Sequence, residues 1–175
     1  MALPGIPQTF AIESAQDMAE KLNWEVEAYR EEADLQPKLW RAFNCAVTAW
    51  HISDWLWKER QAANLPVGEV SMFQAKMQAQ SRYLRMCKHI ATASKHSGVD
   101  RRPDPTIQVI VRAKGDHEDL TISETDHTRH WEIIISDAIG EADALEVFLG
   151  AQQFWDHEIR ADEIRSDPDR FAPID

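Results

Sequence analysis

The sequence predicts a mainly α fold: a four-helix bundle with a small antiparallel β-hairpin or meander inserted before the last helix. Three observations carry the prediction. Apolar residues recur at three- and four-residue steps in four long segments. The period changes to two between about 106 and 137. The breaks between the first three helical segments are short, which favours antiparallel neighbours. At 175 residues, 43% of them hydrophobic, the chain has the size of one domain, spanning 1–175 with one core.

The first helix, about 13–34, places Ala15, Met18, Leu22, Val26 and Tyr29 on one stripe. Glu13, Asp17, Glu20, Glu27, Glu31 and Glu32 fill the remaining arc, so the outer face is acidic. It is expected to end before Pro37. A second helix, about 38–63, runs through Leu39, Trp40, Phe43, Val47, Trp50, Leu56 and Trp57 and holds four of the seven Trp residues. Leu65-Pro66-Val67-Gly68 breaks the chain. A third helix, about 69–97, has Phe73, Met77, Tyr83, Cys87, Ile90 and Ser94 as its inner face, with Gly98 as its stop.

Asp100 to Pro105 reads as a turn, and the β-insert follows over about 106–137. Ile107, Val109 and Val111 alternate with Gln108, Ile110 and Arg112; Trp131 to Ser136 forms a second run, and Thr121 and Ile122 offer a short middle strand. A two-stranded unit is marginal alone, so a helix must cover it. The last helix, about 141–164, presents Leu145, Phe148, Leu149, Gln152, Trp155 and Ile159 at helical spacing. The Pro- and Asp-rich tail, 166–175, is expected to be loosely held.

Composition narrows the function. A formal charge of −11 and a pI near 5.0 argue against broad, non-specific binding to DNA or anionic membranes. Cys45 and Cys87 lie in helical patterns without a CxxC partner and read as reduced, half-buried thiols. The N-terminal residues lack the features of a secretory signal, and no apolar run approaches the roughly 20 residues of a membrane span. A cytoplasmic location is expected.

Against this acidic background, the 29 residues from Ser71 to Val99 hold Lys76, Arg82, Arg85, Lys88 and Lys95, with His89 and His96, and no Asp or Glu. The rest of the chain, with 14 Lys/Arg and 30 Asp/Glu, carries −16. Helical steps put Arg82, Arg85, His89, Thr92 and His96 on one stripe flanked by Lys88 and Lys95. Such a stripe suits a phosphate: Arg supplies a bidentate fork, and His moves a proton near neutral pH. It equally suits an internal charge match with the acidic arc of the first helix or with the last helix.

A bundle with an Arg, several intervening residues and a His late in one helix, here Arg82 and His89, resembles the higher-eukaryote-and-prokaryote nucleotide-binding (HEPN) family. The segments Ala49-Trp50-His51-Ile52-Ser53-Asp54-Trp55 and Ser94-Lys95-His96 are also similar to small uncharacterised bacterial proteins. Tyr83 departs from the family pattern, in which a small polar residue follows the Arg. The resemblance implies a dimer acting as a metal-independent ribonuclease of a toxin or phage-defence system. Arg82 and His89 would be its catalytic pair, and Arg85, Lys88, Lys95 and His96 would bind RNA or a nucleotide. No cofactor or metal is implied.

Asp54 lies on the apolar stripe of the second helix one turn after His51, so burial demands a partner, either His51 or a Lys/Arg of the third helix. It would orient a base such as His89 or His96, or simply anchor the helix register. His117, His127 and His130 near Asp116, Glu118, Glu124 and Asp126 have ligand-like separations, but loop spacing does not force convergence, and they read as solvated. Trp24 and Trp55 sit off the apolar stripes and mark a candidate oligomer contact. The leading expectation is a HEPN-like bundle engaging a phosphate-bearing ligand. The alternative is a non-catalytic interaction or regulatory protein whose acidic face captures a basic protein partner.

Overall fold

The computed structural model describes residues 12–95, 106–114 and 130–166. Among them the chain forms five helices and three strands, mainly helical with a small antiparallel sheet: α1 Ala15–Glu31, α2 Leu35–Ala62, α3 Val70–Gln80, α4 Arg82–Lys95, β1 Gln108–Lys114, β2 His130–Asp137, β3 Gly140–Asp143 and α5 Ala144–Ser166.

α1 starts at a capping box. Ser14 Oγ accepts from the Asp17 amide at 3.0 Å, and the Asp17 carboxylate accepts from the Ser14 and Glu13 amides at 2.9 and 2.8 Å. Those bonds, that from Glu13 foremost, hold the Asp17 carboxyl below its ordinary range. The apolar stripe Ala15, Met18, Leu22, Val26 and Tyr29 is buried as the periodicity requires. Contacts pairing Ala15 with Glu59, Lys21 with Thr48 and Glu32 with Arg41 run in opposite chain directions, so α1 and α2 are antiparallel.

α2 begins at Leu35, earlier than expected, because Pro37 falls in the first turn, where a missing amide costs nothing. Its buried face differs from the expected stripe. Cys45, Ala46, Ala49, Trp50, Ile52, Ser53 and Leu56 are buried, whereas Trp40 and Phe43 are exposed. The helix ends in a Schellman motif: Asn64 takes φ 57°, with Leu65 N–H on Arg60 O and Asn64 N–H on Gln61 O.

The expected third helix is two helices. Ser81 adopts extended dihedrals, φ −132° and ψ 115°, and its hydroxyl accepts from the Leu84 amide at 3.2 Å. Ser81 thus caps a new helix instead of continuing the old one. α3 packs on α2 and α4; α4 packs on α2 and α5, and α1 on α2 and α5. Trp155, fully buried in α5, donates Nε1–H to Ala49 O of α2 at 2.7 Å. Arg60 of α2, also buried, bonds Glu158 and Asp162 of α5 and lies over the Phe73 ring of α3.

The sheet order is β1-β2-β3, all antiparallel. Val109 faces Ile135, Val111 faces Ile133, and Asp137 faces Gly140 across a two-residue turn. The residues expected to open the last helix at 141 are β3, and α5 starts at Ala144, where Asp143 Oδ1 accepts from the Leu145 amide. The middle strand expected at Thr121 and Ile122, the loop from Asp100 to Pro105 and the tail beyond 166 lie outside the described residues. Among the described residues no helix is long and apolar enough to cross a membrane.

Candidate functional site

The break at Ser81 puts Arg82 and Arg85 in the first turn of α4, beside the β2–β3 turn. Both guanidiniums converge on one carboxylate. Arg82 Nε and Nη2 donate to Asp137 Oδ2 and Oδ1 at 3.0 and 2.9 Å, and Arg85 Nη2 donates to Oδ2 at 2.8 Å. The Ile139 and Gly140 amides donate to Asp137 Oδ1 at 2.9 and 3.2 Å, and Arg82 Nη2 also reaches Gly140 O at 2.7 Å. The Asp137 side chain is 2% exposed. Five donors on a buried carboxylate, the Arg82 fork first among them, hold its carboxyl far below the usual range despite the opposing effect of burial. Reciprocally, Asp137 raises Arg82.

The anion position of the cationic stripe is therefore filled by the protein's own side chain. His89 shares that face of α4 and is half-buried. Seven residues after Arg82, it stands about 10 Å further along the axis. Lys88 donates to Gln78 of α3 at 2.9 Å and lies near the Trp50 ring. Lys95 closes α4, and His96 lies outside the described residues. Asp54 is half-buried, and the donor that reaches it from α3 is the neutral amide of Gln74 at 2.8 Å, not a Lys or Arg. His51, one turn earlier, is also half-buried. His117 and His127 lie outside the described residues, and His130 is the first residue of β2. Among the described residues no group of three or more His, Cys, Asp or Glu is placed to hold a metal ion.

A second feature lies on the acidic surface of α1. Trp24, Glu27, Ala28, Glu31, Glu32 and Arg41 line an open groove of about 360 Å³ between α1 and α2. Trp24 is 66% exposed. Glu27 pairs with Arg30 at 2.7 Å, and Glu32 with Arg41 at 2.9 Å, which lowers the Glu32 carboxyl. Glu31 is exposed on the same rim. The sequence marks Trp24 as off the stripe and the arc as acidic; it does not show that α2 closes the two into a groove.

Sequence reasoning missed Asp137, more than fifty residues from the cations it binds. It also missed Glu25, buried in α1 and held by Lys21, which reaches Thr48 as well. The pairing of Asp137 with the amides two and three residues on is a local Asx-turn signal that its position before Ala138-Ile139-Gly140 could have supplied. Comparison with family models, with curated proteins and with solved structures found no match.

Proposed function

We propose that the protein is a non-catalytic interaction protein, acting in the cytoplasm on a four-helix-bundle scaffold, whose acidic α1 surface receives a basic segment of a partner protein. The observation that carries this reading is Trp24, 66% exposed in a groove lined by three carboxylates, Glu27, Glu31 and Glu32, and one cation, Arg41. An indole face beside carboxylates suits a Lys or Arg side chain, which gains both cation–π and ionic attraction there. The net charge of −11 steers a basic partner toward the molecule as a whole. The test is titration of labelled Lys/Arg-rich and Asp/Glu-rich peptides of equal length, followed by anisotropy. The basic peptide should bind, more weakly as salt rises, and Trp24→Ala or Glu27→Lys/Glu31→Lys should weaken it about tenfold or more. Absence of binding, or equal binding by the variants, overturns the proposal.

A second reading follows from the HEPN resemblance and is favoured by the convergence of two α4 guanidiniums on one anion. In it a phosphate of RNA or a nucleotide displaces Asp137. In a homodimer, His89 moves the proton of the attacking 2′-hydroxyl, and Arg82 stabilises the charged transition state. This reading stands second because the displaced carboxylate is buried and satisfied by five donors. Incubation with total RNA in EDTA decides it. Cleavage by the native protein and not by Arg82→Ala/His89→Ala supports ribonuclease action; no cleavage, or equal cleavage, removes it.

A further inference from the structure

β1 lies at the edge of the sheet and, among the described residues, is paired along one side only. Its neighbour β2 is fully covered on the face toward the helices: Ile133 and Ile135 are each 1% exposed. Val109 and Val111 continue that same apolar row one strand further out, yet remain 51% and 39% exposed. The helical layer thus stops short of β1. Beside the gap α2 leaves Phe43 39% exposed. Leu39, Phe43, Ile90, Val109 and Phe148 are among the side chains lining an apolar groove of about 170 Å³ that opens there. An edge that is unpaired among the described residues and carries an apolar row fits an extended strand.

We infer that the strand is β1 of a second copy, added antiparallel about a two-fold axis through Ile110 to give one continuous six-stranded sheet. The residues of β1 are self-complementary in that register. Val109 stands opposite Val111 of the second copy and Val111 opposite its Val109, so the two half-exposed rows complete each other on one face of the sheet. Arg112 falls opposite the uncharged Gln108, so no like charges are set face to face. Within its own sheet Arg112 already bonds Glu141 at 2.8 Å and faces Glu132 across the register, so carboxylates of its own protomer stand beside its charge. Phe43 of each copy, which shares the groove with Val109, then lies beside the joined Val rows.

The inference is independent of the acidic groove, which lies on the α1–α2 surface. Its test uses the full chain. Molar mass by sedimentation equilibrium should show a dimer at high concentration dissociating on dilution. Amide hydrogen exchange of 108–113 should slow as concentration rises, while the amides of α1 do not change. Val109→Lys/Val111→Lys, at positions half-exposed in the protomer, should weaken the dimer more than about tenfold and leave the dilute protein's thermal unfolding intact. Glu27→Lys/Glu31→Lys should not affect the dimer. A wild-type chain that stays monomeric at every concentration overturns the inference. So does a dimer whose β1 amides exchange as fast as in the monomer, a measurement that needs no variant. A dimer that survives the double Lys substitution overturns it as well.

Discussion

Replacing Asp137 by Asn removes the charge on which α4 and the β2–β3 turn meet and preserves the side chain's shape. The carboxylate accepts three bonds from Arg82 and Arg85 and two from backbone amides. Hydrogen bonds to charged groups contribute about 1.5–3 kcal/mol each. Arg82 and Arg85 are 26% and 36% exposed, so water recovers much of what they lose. The amide oxygen of Asn still serves Ile139 and Gly140. The balance is a destabilisation of about 2–3 kcal/mol, or about 4–12 °C in Tm for a chain of this size. The carboxyl is held far below its ordinary range in the fold and titrates near 3.9 in the unfolded chain. A depressed folded value contributes stability that is complete above the unfolded value and is lost as pH falls toward the folded one. Urea unfolding of both proteins from pH 7 to pH 2 is the assay. Their difference should hold constant down to about pH 5 and shrink below about pH 4. Equal stability at pH 7, or a gap as wide at pH 3 as at pH 7, refutes the reasoning.

Two further outcomes follow from packing. Gly150 lies under the Tyr83 ring, which occupies the place an added Cβ would take, and Tyr83 donates to Glu146 at 2.7 Å. Gly150→Ala should cost about 1–3 kcal/mol in the native background, but become neutral or stabilising beside Tyr83→Ala, where only the helix preference for Ala remains; thermal unfolding of the four proteins of the cycle reads the sign. Cys45 and Cys87 are 0% exposed, and burial pushes both thiols up, Cys87 to about 12. An aromatic disulfide reagent at pH 8 should leave both unmodified until the protein unfolds, and immediate native labelling of either would contradict their placement.

The parts of the fold legible in the sequence are those that a single helical period decides. α1 has large apolar residues on one stripe and acids on the rest, and the structure buries that stripe. In α2 the same reasoning followed residue size and put Trp40 and Phe43 inside. The close approach of neighbouring helices selects the small side chains Cys45, Ala46 and Ala49 for the contact instead. The break at Ser81 has no Gly or Pro to announce it; a serine cap competes with helix continuation, and tertiary position decides the outcome. β3 contains Glu141 and Asp143 and resembles a helix start, and it is a strand because Ala142 lies across from the buried Ile135.

The charge pattern was legible, but its partner was not, for one physical reason. An acid three or four residues after Arg82 or Arg85 would capture the guanidinium on the helix surface. Those positions hold Arg85, Met86, Lys88 and His89, so both arms remain available for an anion supplied from elsewhere. An acid-free helix therefore announces that its counter-charge is distant in sequence without saying whether it belongs to the same chain. The burial of Asp137, 2% exposed beneath two guanidiniums, gives the answer at the start of α4. It also explains why the most cationic segment of the protein serves first to fasten the sheet to the helices.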